Sequence, residues 1–225
     1  MTDLLPAVVR DSGPNPTWSV IWLHGLGADG HDFEPILPEL VRPDWPAIRF
    51  IFPHAPMRPI TINRGMSMRA WYDIRAMDIA SRADETGVRQ SMMQVDAWLA
   101  AETARGVPPE RQFLAGFSQG GAIALALGVR RPQSLAGVIA LSTYLPMPEQ
   151  TAAEATPAGL ATPVFMAHGV HDPVVAPTLG QASRDALTAL GVTVDWHSYP
   201  VAHGVCGEEI RDLGDWLQPR LQASG

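Results

Sequence analysis

The stretch Gln112-Phe113-Leu114-Ala115-Gly116-Phe117-Ser118-Gln119-Gly120-Gly121 decides how this chain folds. Residues 112–115 form a β-rich run and residues 119–130 carry a helical pattern, so Ser118 stands on the turn between a strand and a helix. The turn has the form Gly-x-Ser-x-Gly. A reactive side chain on so sharp a turn needs neighbours without bulk, because its own backbone is strained and the helix must pass close to the sheet. Gly116, Gly120 and Gly121 give that room. The bare pattern arises by chance in roughly one chain in ten of this composition, and a serine opening a helix is also a favoured N-cap. The weight therefore falls on what surrounds it.

Outward from this turn, strand and helix alternate. Further β-rich runs lie at 19–23, 48–52, 137–141, 163–167 and 192–199, and helical patterns at 91–105, 178–190 and 207–217. The helix over 91–105 gathers Met92, Val95 and Leu99 on one face, with Trp98 on its flank. Ser19-Val20-Ile21-Trp22-Leu23 is apolar almost throughout, as expected of a strand in a mainly parallel sheet covered by helices on both faces. The fold class is α/β.

With 225 residues and a prior of about 150 per domain, one domain over residues 1–225 is expected. Apolar residues make up 46% and charged ones 17%, a composition that supports a large core. The 16 basic side chains, all arginine, face 23 acidic ones, and a net charge of −7 leaves no footprint for nucleic acid or an anionic bilayer. Residues 1–6 lack the basic-then-apolar pattern of a secretory signal. No run reaches the roughly 18 uncharged apolar residues of a membrane helix, so no stable membrane anchor is expected. Cys206, the single cysteine, fits a reducing cytoplasm.

In open α/β sheets the reactive groups gather just past the carboxyl ends of the strands. A serine hydroxyl is a poor nucleophile until a base takes its proton, and that base is usually a histidine oriented by a carboxylate. In an α/β sheet with the serine on such a strand-to-helix turn, the chain order is serine, then Asp or Glu, then histidine. Between residue 170 and His203 the acids are Asp172, Asp185 and Asp195. Asp172 follows the run 163–167, whereas Asp185 sits in a helical pattern and Asp195 in a strand. His203 lies past the run 192–199, whereas His197 lies inside it. Ser118, Asp172 and His203 are therefore the candidate triad.

The chemistry also needs two backbone N–H donors for a developing oxyanion, one of them on the residue after the nucleophile. That residue is Gln119. The loop after 19–23, His24-Gly25-Leu26-Gly27-Ala28, is built of small residues, and Leu26 N–H is the natural second donor. His24 is then expected to brace the loop rather than to act as acid or base.

Two other chemistries compete on residue type. His168, His171 and Asp172 crowd together and would suit a divalent metal if His24 and His31 joined them. Committing Asp172 to a metal would leave the serine–histidine pair unoriented, and no recognised metal-ligand spacing occurs, so no metal is expected. Cys206 lacks a strand-to-helix turn and reads as a buried thiol. A binding module on a hydrolase scaffold is the non-catalytic alternative, but it has no need to keep Ser118, Asp172, His203 and the Leu26 loop together.

With these residues in place, the chain resembles the carboxylesterases and acyl-protein thioesterases of the α/β-hydrolase fold, the phospholipase/carboxylesterase family. The resemblance rests on His24-Gly25-Leu26-Gly27-Ala28-Asp29-Gly30, Phe52-Pro53-His54-Ala55-Pro56, Met68-Arg69-Ala70-Trp71-Tyr72-Asp73 and Gly116-Phe117-Ser118-Gln119-Gly120-Gly121. It continues through Tyr144-Leu145-Pro146, His168-Gly169 with Asp172, and His203 with Glu208-Glu209-Ile210, covering about residues 19–217. It implies the same triad, Leu26 and Gln119 as oxyanion hole, hydrolysis of carboxylic esters or thioesters, and no metal or organic cofactor. A homodimer is expected from this analogy alone. Two positions depart from the family pattern: Arg64 stands where a glycine is frequent, and Val201 where a methionine is common. Both bear on the acyl site, so the preferred chain length does not carry over.

The segment 57–70 shows no clear periodicity and reads as a short lid loop. Its Ile62, Met66 and Met68 could line an acyl pocket or tuck into the core, since methionine adapts to varied apolar shapes. Under the family resemblance Trp71 borders the acyl site. The expected reaction is hydrolysis of short to medium acyl esters through an acyl-enzyme, with acyl-protein thioesterase or lysophospholipase activity as alternatives on the same triad. Activity should fall on the acid side as the base histidine takes up its proton.

Overall fold

In the computed structural model of the chain, which describes residues 4–75 and 84–222, the strands are β1 (Ala7–Asp11), β2 (Trp18–Leu23), β3 (Ile48–Pro53), β4 (Met57–Ile60), β5 (Met66–Arg69), β6 (Gln112–Phe117), β7 (Gly137–Leu141), β8 (Val164–Gly169) and β9 (Val194–Tyr199). The helices are α1 (Leu37–Leu40), α2 (Glu85–Ala104), α3 (Gln119–Gly128), α4 (Pro148–Glu154), α5 (Pro157–Leu160), α6 (Pro177–Ala189) and α7 (Gly207–Gln222). Seven strands form one sheet in the order β1-β3-β2-β6-β7-β8-β9. Only the edge strand β1 runs antiparallel to its neighbour; the other pairs are parallel.

Successive side chains on a strand point to opposite faces, and here each face meets its own layer of helices. Ile21, Leu114, Val138 and Val164 pack with Val95 and Leu99 of α2, with α3 and with Leu187 of α6. Val20, Phe113, Ile139 and Phe165 pack with Leu40 of α1 and with Ile210, Leu213, Trp216 and Leu217 of α7. Helix α3 is buried along its whole length, which is why its sequence is apolar and small on every side.

From β2 the chain moves outward to β3, then returns to β6 on the other side of β2. The loops that leave β2 and β6 therefore diverge at adjacent strand ends, with Leu23 paired to Gly116. Such a reversal of strand order opens a crevice at the carboxyl edge of a parallel sheet.

The six strand runs expected from the sequence are all present, with ends shifted by two residues at most. Several features differ, among them the short helices α1, α4 and α5 and an α7 that runs five residues past 217. Residues 57–70 are an antiparallel hairpin of β4 and β5, not a loop, with Met57 opposite Arg69 and Ile60 opposite Met66. Helix α2 begins at Glu85, six residues earlier than its apolar periodicity suggests, because Asp84 caps it by accepting from Gly87 N–H. Strand β1 had no expectation at all.

Candidate active site

Ser118 leaves β6 with φ 52° and ψ −118°, a conformation that costs an L-residue about 1–3 kcal/mol. Surrounding bonds hold it there. Its N–H donates to the Leu141 carbonyl at 2.8 Å, and its carbonyl accepts from Thr143 Oγ1 at 2.6 Å. A Cβ on Gly120 would lie 2.4 Å from the Leu23 carbonyl oxygen and 2.6 Å from that of His24, so α3 reaches the end of β2 only because that position is glycine.

Although Ser118 occupies the N-cap position of α3, its side chain makes no capping bond. Ser118 Oγ instead lies 3.0 Å from His203 Nε2. His203 Nδ1 lies 2.7 Å from Asp172 Oδ2. An ionised carboxylate only accepts, so Nδ1 carries the ring proton and Nε2 is left to accept from the serine hydroxyl. Asp172 Oδ1 accepts the N–H groups of Val174 and Val175 at 2.8 and 2.9 Å, which fixes the carboxylate without a cation. The loops bearing Asp172 and His203 are in close contact: a Cβ on Gly169 would lie 2.2 Å from the Ala202 carbonyl oxygen.

Gln119 N–H, at the first position of α3, has no intrahelical acceptor. The Leu26 N–H donates to no group among the described residues. Leu26 lies in the loop beside the serine, where a Cβ on Gly25 would be 3.6 Å from Ser118 Cβ. His24 is buried behind this loop. Its Nδ1 lies 2.7 Å from the Gly25 carbonyl oxygen, and its Nε2 accepts from Ala55 N–H at 3.1 Å. Burial outweighs the Gly25 bond, which favours the charged ring, and lowers its pKa to about 4.

The expected acyl-site residues are dispersed. Met68 is half-buried next to the oxyanion loop, its sulfur 3.8 Å from where a Gly27 Cβ would be, and it accepts from Asn63 Nδ2 at 3.4 Å. Ile62 is half-buried, and its N–H donates to the Ile74 carbonyl. Met66 points into solvent, 64% exposed. Trp71 is wholly buried, with its indole N–H donating to the His24 carbonyl at 2.8 Å, so it stands behind the site rather than bordering an open groove. His168 is buried and donates from Nε2 to the Val175 carbonyl, while His171 is exposed.

Two contributors escaped the sequence reading. The Gln119 side chain accepts from Trp71 N–H at 2.8 Å and donates to the Tyr72 carbonyl at 2.6 Å. Thr143, which holds the Ser118 carbonyl, lies two residues past β7, where the strand-end rule points.

A parallel sheet with its order reversed beside a serine turn, and an imidazole and carboxylate in line with that serine, is the build of a serine hydrolase of the α/β-hydrolase fold. The chain belongs to the phospholipase/carboxylesterase family, whose model matches residues 5–220. It is similar to acyl-protein thioesterase 1 of Mycosarcoma maydis, 40% identical over 94% of this chain and 95% of that protein. Carboxylesterase SOBER1 of Arabidopsis thaliana is 33% identical over 91% of each chain. A crystal structure of SOBER1 matches with a TM-score of 0.87 at 32% identity, covering 91% of this chain and 99% of that one. Acyl-protein thioesterase 2 of Zea mays matches with a TM-score of 0.82 at 30% identity, covering 96% and 99%.

Proposed function

We propose that Ser118, His203 and Asp172 are the nucleophile, general base and orienting carboxylate of an esterase that cleaves short to medium acyl esters. The observation that carries the roles is the Ser118 side chain itself, which makes no capping bond to α3 and lies instead against His203 Nε2. Ser118 Oγ attacks the ester carbonyl while its proton passes to His203 Nε2. Leu26 and Gln119 N–H groups receive the oxyanion. As the tetrahedral intermediate collapses, the bond to the alcohol breaks and His203 returns the proton to the departing oxygen. Water then attacks the acyl-enzyme by the same route, which releases the acid and restores the serine.

Ser118→Ala should lower turnover of a p-nitrophenyl ester at least about a thousandfold with an unchanged circular dichroism spectrum. A variant that keeps most of its activity would refute the assignment of the nucleophile.

Thioester hydrolysis is the second reading, favoured by the acyl-protein thioesterase names of relatives up to 40% identical. Matched oxygen ester and thioester pairs, run from acetyl to palmitoyl, separate the two and give the chain-length preference; a lysophospholipid in the same panel covers the third chemistry. No helix among the described residues is long and apolar enough to cross a membrane. We also place the enzyme in the cytoplasm, in keeping with its single thiol, and as a homodimer by analogy with the family, which sedimentation would test.

A further inference from the structure

The loop that carries the Leu26 donor is short and glycine-rich, so its own sequence does not aim that N–H. The aim comes from outside. Ala55 N–H can only donate, and it points at His24 Nε2 at 3.1 Å. Nε2 must therefore be unprotonated, and the ring proton sits on Nδ1. From Nδ1 it is donated to the Gly25 carbonyl oxygen, 2.7 Å away. That oxygen and the Leu26 N–H belong to one planar peptide unit and point in opposite directions. Pinning one therefore fixes the other, and a hydrogen bond to the carbonyl also polarises the N–H into a stronger donor.

The preceding carbonyl is pinned as well. His24 C=O accepts the Trp71 indole N–H at 2.8 Å. Trp71 is tied in turn to the second donor residue, since its backbone N–H binds Gln119 Oε1 at 2.8 Å while Gln119 Nε2 holds the Tyr72 carbonyl at 2.6 Å. Ser91 Oγ donates to the Trp71 carbonyl and closes the network from α2. One buried chain of bonds thus joins the residue that bears each oxyanion donor. Burial keeps the imidazole neutral, which the tautomer requires.

We propose that His24 is a positioning residue for catalysis: its neutral Nδ1–H tautomer holds the Gly25 carbonyl so that the Leu26 N–H faces the oxyanion, with the Trp71 indole steadying the adjoining peptide. This rests on the proposed roles of Ser118 and Leu26. It gives His24 and Trp71 functions without substrate contact.

Two amides separate the ring's two bonds. Asparagine places its amide nitrogen near the Nδ1 position and keeps the donation to Gly25, whereas glutamine places its oxygen near the Nε2 position and keeps only the bond from Ala55. His24→Gln should lower kcat and kcat/KM together by roughly 10- to 100-fold, less than outright removal of an oxyanion donor. His24→Asn should restore most of that loss, and both should keep the thermal midpoint well above the assay temperature. Trp71→Phe, which removes one N–H and little volume, should lower kcat several-fold.

Equal rates for the two His24 variants, or full kcat in His24→Gln, would overturn the proposal. A readout on the unaltered protein does not depend on variants folding. The imidazole 15N spectrum near neutral pH should show His24 protonated at Nδ1 and bare at Nε2, and the reverse tautomer would also overturn the proposal. Ser118→Ala in the same series tells the two failures apart. If it stays active the triad assignment falls, whereas if it is inactive and His24→Gln is fully active only the role of His24 falls.

Discussion

At Ser118 the backbone and the side chain serve different ends, and substitution can pull them apart. Its φ of 52° suits glycine far better than an L-residue. Ser118→Ala and Ser118→Gly should both be inactive, but the glycine variant should be more stable than the alanine variant by about 1 kcal/mol or more, as the strain is released. Denaturant melts of the pair measure this, and an alanine variant at least as stable would show that the turn stores no strain. At this scale the sequence was informative for residues placed by a simple rule. Ser118, Asp172 and His203 each stand just past a run of β-formers, so position and chain order selected them. The Gln119 side chain was hidden because its partner lies 47 positions away and nothing local marks such a contact; Thr143 stands at a strand end, but the partner of its hydroxyl, 25 positions away, is set only by the fold. Trp71 was misjudged for a related reason: an indole suits a pocket wall and a buried donor equally well, and only the packing chooses.

Among the elements, those with a continuous apolar run or a clean helical stripe were legible. Strand β1 was not, because the charged half of Ala7-Val8-Val9-Arg10-Asp11 is exposed at the sheet edge. The β4–β5 hairpin was hidden too: Pro59 interrupts the first strand and the pair is too short for alternation to register. The early start of α2 depends on Asp84, whose carboxylate accepts from Gly87 N–H and Asp73 N–H and pairs with Arg75. Asp84→Ala should cost about 1–2 kcal/mol in urea unfolding, and no loss would mean that the cap is idle. Helix α7 buries Glu209 completely, with neither carboxylate oxygen hydrogen-bonded. Desolvation raises its pKa from 4.5 to about 8; the Cys206 N–H nearby, short of a full hydrogen bond, offsets only part of this, and the charge of Asp212 adds to it. Because the folded-state value is the higher one, the stability carried by protonated Glu209 is complete below pH 4.5 and is lost as pH rises through about 8. Glu209→Gln, which keeps the shape and never ionises, should track the wild type near pH 5 and exceed it by a growing margin up to about pH 9. Melting curves across that range test it, and a margin that does not change with pH would place the carboxylate in water or in an unseen pairing.

For the whole molecule, the decisive fact is convergence. Ser118 and His203 are 85 positions apart, and Asp172 and His203 are 31 apart. Strand order brings them to one edge: β6 lies at the centre of the sheet, and the loops after β8 and β9 carry Asp172 and His203 toward it. The reversal between β2 and β6 sets the loop bearing Leu26, the proposed oxyanion donor, on the other side of the serine. The overall α/β architecture was legible because it depends only on alternation and apolar runs. The hydrogen-bonded layer behind the oxyanion loop was not, because it joins β2, the segment after β5, and α3 through contacts that the fold alone creates. The most direct test of the convergence is mass-spectrometric mapping of a fluorophosphonate adduct on the wild type and on His203→Ala at equal exposure. One adduct, on Ser118, that forms in the wild type and is lost or greatly slowed in the variant is the predicted result. An adduct on another residue, or equal labelling of Ser118 without the imidazole, would contradict the triad.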